Sequence, residues 1–177
     1  DLNGKSTAAA MQGRFAGIYF SVVLGLLTPL SLLVGFNYFN DPFSVFHDDR
    51  SYQASTNLNF VRIKHLLEHG NEYSVLLIGT SRANMLDISS HVSEPAYTLS
   101  VISGIPHYNL LHLKSLVRNG IIPDTVVMGL GEDAIEIAPR KNADQALSTR
   151  LHPSTEQINP LRYYWDYLSF IPTEEDL

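Results

Sequence analysis

Three short segments hold the residues of this chain best suited to chemistry: GTSRAN (79–84), SVISGIPH (100–107) and GLGED (129–133). In the first, Ser81 stands two residues after Gly79. A serine at the turn leaving a strand is presented at the sheet edge, near backbone N–H groups that can stabilise a developing oxyanion. Ser81 is therefore a candidate nucleophile for acyl transfer. The plainer role for Thr80 and Ser81 is to cap the helix that follows. Arg82 and Asn84 are candidate substrate-binding residues. The guanidinium suits an anionic group, or it pairs with Asp87 or Glu132.

The seven histidines do not complete such a site. His107 and His112 fall near strand ends and are expected to cap or snorkel at a helix surface. His152 is expected in a solvated loop, HPSTEQINP. His47, His65, His69 and His91 lack partners at ligand spacing, so neither a metal site nor a cofactor is expected. The absence of cysteine excludes disulfides, zinc–thiolate sites and thiol catalysis. Net charge is −6, with no basic run and no basic stripe among aromatics, so nucleic acid is set aside as a partner.

Each of the three segments ends or follows a short apolar run: SVLLIG (74–79), AYTLSV (96–101) and TVVMGL (125–130). Continuous runs of this length read as strands covered on both faces. Leu58, Val61, Leu66 and Leu67 approximate helical spacing, closed by Gly70 and Asn71. A second helix is predicted over His107 to Arg118, closed by Asn119 and Gly120. The alternation predicts an α/β domain with a parallel sheet and right-handed crossovers, whose ligands bind beyond the carboxyl ends of the strands.

Ahead of this domain, residues 15–40 contain no Asp, Glu, Lys or Arg. The stretch from Phe15 to Phe39 is long enough to cross a hydrocarbon core of about 30 Å as a helix, and its apolar residues occupy every face. A surface amphipathic helix would show a polar stripe. Phe15, Tyr19 and Phe20 at one end, and Phe36, Tyr38 and Phe39 at the other, suit the headgroup level. Pro29 predicts a kink near Leu26, and Gly25 and Thr28 offer a close-packing face for other membrane helices. Lys5 and Arg14 precede the span while Asp41, Asp48 and Asp49 follow it, which places the N-terminus in the cytoplasm. The expected organisation is a flexible polar leader (1–14), a transmembrane helix (15–39), a turn-rich linker (40–56) and an extracytoplasmic, periplasmic-type domain (57–177). The aromatic stretch RYYWDYLSF near residue 170 carries no evident terminal helix or closing strand, and the domain is expected to be incomplete.

A strand ending in Gly-x-Ser, a second followed by a loop glycine, and a third ending in Gly before polar residues resemble the SGNH, or GDSL-like, hydrolases. The likeness extends over about residues 37–135 and includes the NDPF segment after the membrane helix, similar to that of anchored proteins of bacterial cell envelopes. It implies a flavodoxin-like sheet, Ser81 as nucleophile and Gly104 as a donor of an oxyanion-hole amide. Two features depart from the pattern. Glu132 and Asp133 stand where the family carries a donating Asn, and a carboxylate only accepts. No Asp-x-x-His, the family's source of a general base, follows residue 135.

Two functions are therefore expected. One is a non-catalytic, membrane-anchored accessory subunit that scaffolds or caps a larger membrane complex. Its partners would be the lipid bilayer and other transmembrane subunits. The other is a membrane-anchored esterase or acyltransferase acting on envelope glycans or lipids through Ser81.

Overall fold

A long N-terminal helix and a small parallel sheet organise the chain. The structure, a computed structural model, describes residues 2–47, 56–100, 105–131, 146–156 and 158–171. The chain forms two units, one of residues 1–40 with 165–177 and one of residues 41–164.

In the first unit, helix α1 runs from Leu2 to Asn40. The leader thus continues the helix, where a flexible segment was expected; AAAMQ favours helix through its alanines and straight-chain residues. Gly17–Asn40 is long and apolar enough to cross a membrane, and nearly all its side chains are exposed. The helix continues through Pro29. Thr28 donates its hydroxyl to the Leu24 carbonyl at 2.7 Å, and Gly25 has open space where a side chain would stand.

In the second unit, α2 spans Leu58–His69 and α3 spans Pro106–Arg118. Asn57 caps α2 by accepting the Phe60 N–H on Oδ1 at 3.1 Å. α3 begins at Pro106, whose missing N–H is no loss at a first helical position. It ends where Gly120 takes a φ of +78°. There Ile121 N–H bonds the Leu116 carbonyl and Gly120 N–H bonds that of Val117, a Schellman ending sealed by two buried apolar residues.

The strands are β1 (Val75–Gly79), β2 (Ala96–Ser100) and β3 (Thr125–Gly129). They form one parallel sheet in the order β2-β1-β3, with Gly79 level with Ser100 and Gly129. Ile63 and Leu66 of α2, Leu116 of α3 and Ile121 pack with Leu76, Ile78 and Leu99 of the sheet.

Only β1 is buried along its whole length. β3 was expected to be covered on both faces, yet Val126 is 41% exposed, with Val127 and Met128 similar. The helices decide the difference: α2 and α3 pack on β2 and β1, and β3 places no side chain in that core cluster. The β1–β2 connection contains two 3-10 turns, Ser81–Met85 and Ile88–Ser90, where a helix was expected after Ser81. Leu86 at the end of the first turn is extended, which stops it from growing.

Residues 41–47, read as linker, are folded. Asp41 is buried and accepts the N–H groups of Val45, Phe46 and His47 at 2.7–2.8 Å. Asp41 and Ser44 both have positive φ, conformations that short polar side chains tolerate better than most. Helix α4 (Pro153–Glu156) is one turn, and α5 spans Pro160–Leu168. α5 corrects the expectation of no terminal helix: Asn159 Oδ1 accepts the Leu161 N–H at 2.9 Å, Pro160 opens the helix, and Tyr163 and Tyr167, four apart, are buried.

Candidate functional site

The carboxyl ends of β1 and β2 bring together Ser81, Asn84 and Ser100 through a residue not singled out in the sequence, Arg62. From α2, Arg62 Nη1 donates to both the carbonyl and the hydroxyl oxygen of Ser100, and Nη2 donates to Asn84 Oδ1 at 3.2 Å. One guanidinium thus ties the end of β2 to the 3-10 turn that carries Ser81. Asn84 is exposed, with its Oδ1 accepting from Arg62.

Gly79 makes the turn possible. A Cβ at this position would lie 2.8 Å from the Gly129 carbonyl oxygen and 2.9 Å from the Ala83 Cβ. The missing side chain lets β1 and β3 end side by side while the turn folds back over them. Ala83 is buried, its N–H bonded to the Thr80 carbonyl at 2.9 Å. Ser81 and Arg82 are exposed on the outside of this turn. Thr80 makes no side-chain cap, and the Ser81 hydroxyl bonds no described residue. Gly104, Glu132 and Asp133 lie outside the described residues.

All seven histidines are described, and none bonds Ser81. His47 lies 3.5 Å from Asp41, and His69 bonds Glu72 at 3.0 Å. His65 Nε2 is 3.0 Å from the Tyr73 hydroxyl, with its ring stacked on Tyr97. His91 bonds within its own turn, and His107 is exposed with its ring against Tyr108. Among the described residues, no group of three His, Asp or Glu side chains is placed to hold a metal ion.

His112 and His152 correct the surface positions expected for them. His112 is fully buried, with no hydrogen-bond partner on either ring nitrogen. Burial, and secondarily the nearby His152, pushes its pKa down to about 3. His152 is half-buried against Phe60, with ring centroids 4.8 Å apart. Its pKa falls to about 4, through burial first and Lys64 second.

His152 Nδ1 accepts the Ser154 N–H at 3.2 Å, so this nitrogen carries no proton. The Ser154 hydroxyl, 2.7 Å away, must then donate to it, and the Ser115 hydroxyl in turn donates to Ser154 at 2.7 Å. The chain of bonds joins α3 to α4. A shallow groove of about 430 Å³ opens beside it, lined by Phe46, Phe60, Lys64, Glu68, His152 and Tyr164 among others. None of the strand-end residues lines that groove.

Arg62 had a faint sequence signal. It lies three residues after Asn59 and four before Leu66, both buried, so it belongs to the inward stripe of α2. Nothing in the sequence connects it to Ser100. Comparison with protein-family models, with curated proteins and with solved structures gives no match to this chain.

Proposed function

We propose that this chain is a membrane-anchored, non-catalytic accessory subunit, in which an SGNH-like domain held outside the cytoplasm by α1 scaffolds or caps a larger membrane complex. The observation that carries this is the state of Ser81: its hydroxyl is exposed, and none of the seven histidines lies in hydrogen-bond contact with it. A serine hydroxyl is a weak nucleophile until a base takes its proton. The β2-β1-β3 order supports the fold assignment, being the order of the first three strands of flavodoxin-like sheets. Partners for the membrane segment are other transmembrane subunits, which the face of Gly25, Thr28 and Pro29 would meet. The cytoplasmic N-terminus rests on Lys5 and Arg14 preceding the span and the aspartates following it.

A fluorophosphonate probe tests the absence of catalysis. Folded protein in detergent is expected to remain unlabelled at Ser81. Labelling that disappears in Ser81→Ala would replace the subunit with a membrane-anchored esterase or acyltransferase. That second function is favoured by one observation, the open position of Ser81 beyond the end of β1.

A further inference from the structure

We infer that the segment Trp165–Ile171 lies in the headgroup layer of the bilayer that α1 crosses, as a second, interfacial contact between protein and lipid. The inference rests on the anchoring role of α1 proposed above. Its starting point is Asn37, the only buried residue among those described in Gly17–Asn40. Its Nδ2 donates to the Leu168 carbonyl at 2.8 Å and to the Phe170 carbonyl at 2.6 Å. These carbonyls belong to the end of α5 and the residues just beyond it, where a helix leaves acceptors without partners. A single carboxamide thereby fastens the segment to α1.

The level of that attachment is set by helix geometry. Asn37 precedes the last residue of α1 by three positions, about 4.5 Å along the axis at 1.5 Å per residue. The segment is therefore held where the apolar stretch ends. A spanning helix meets the headgroups at that point, and tryptophan and tyrosine concentrate there in membrane proteins.

The exposed side chains agree with such a surrounding. Trp165 is 47% and Ile171 72% exposed, in the same unit as Phe39 at 81% and the exposed rings of Phe36 and Tyr38. In water this much apolar surface is unfavourable, at about 25 cal/mol for each Å². In the interfacial layer the rings and the isoleucine enter the acyl boundary, while the indole N–H finds lipid oxygens.

Trp165 is the only tryptophan in the chain, so its emission reports on this segment alone. The full chain would be reconstituted into phosphatidylcholine vesicles containing lipids brominated either near the glycerol or deep in the acyl chain. The expected result is strong quenching by the shallow bromines, weak quenching by the deep ones and protection from aqueous iodide. Asn37→Ala should release the segment, with loss of shallow quenching and gain of iodide access. In Trp165→Phe background, Leu27→Trp reports on α1 separately. Deep quenching of Leu27→Trp together with iodide-accessible, lipid-insensitive Trp165 would overturn the interfacial contact while α1 still spans. Absence of quenching at both positions would overturn the anchoring and the interfacial contact together.

Discussion

Arg62 and Ser100 lie 38 positions apart, yet one guanidinium nitrogen of Arg62 reaches both oxygens of the serine, its carbonyl and its hydroxyl. Ser100 is buried, so these bonds form out of bulk water. Hydrogen bonds to a charged group contribute about 1.5–3 kcal/mol. Arg62→Ala is expected to destabilise the protein by about that amount in denaturant titrations of the chain in detergent. Arg62→Lys should recover little of the loss, because an ammonium cannot reproduce the fork that also reaches Asn84.

Two glycines, Gly79 at the end of β1 and Gly120 just after α3, allow a sharper test. A Cβ on Gly79 would press against backbone, the Gly129 carbonyl, and backbone yields less than a flexible side chain. Gly79→Ala is expected to cost about 1–3 kcal/mol through overpacking. Gly120→Ala meets no neighbouring atom, and its cost, about 1 kcal/mol, comes only from the positive φ. Thermal or chemical unfolding of the two variants side by side separates the causes.

Stability should depend on pH through His112 and His152. Both have folded pKa values far below the ordinary 6.5, about 3 and about 4, because burial disfavours the imidazolium. Between those values and 6.5 the unfolded chain binds more protons than the folded one. Stability is therefore complete above about pH 6.5 and is lost as pH falls towards 4, by about 1.4 kcal/mol per pH unit for each histidine. His112→Leu should flatten this slope, and because the buried ring has no partner to lose, it should leave stability at pH 7.5 nearly unchanged. Urea midpoints at pH 5 and 7.5 for the two proteins make the comparison.

The elements legible in the sequence were those specified by their own neighbours along the chain. Gly70 after α2, Gly120 after α3 and the three apolar runs each carry a local signal, and the strands begin and end within a residue or so of where those signals fall among the described residues. The turn position of Ser81 is legible for the same reason, as the residue that opens a turn announced by Gly79. What could not be read depends on tertiary neighbours. His112 is interior because α4 and α2 pack over α3, and HPSTE looks like a polar loop until Ser115 and Phe60 are placed beside it. The exposure of β3 likewise depends on which strands the helices cover, which its composition cannot convey.

If the chain is, as proposed, one subunit of a membrane complex, the proteins extracted with it will reveal that complex. Tagged protein would be taken from native membranes in mild detergent or lipid nanodiscs and its mass measured by native mass spectrometry. The expected result is one assembly containing this chain and other transmembrane proteins in fixed stoichiometry. A monodisperse monomer carrying no partner, from the same membranes, would contradict it.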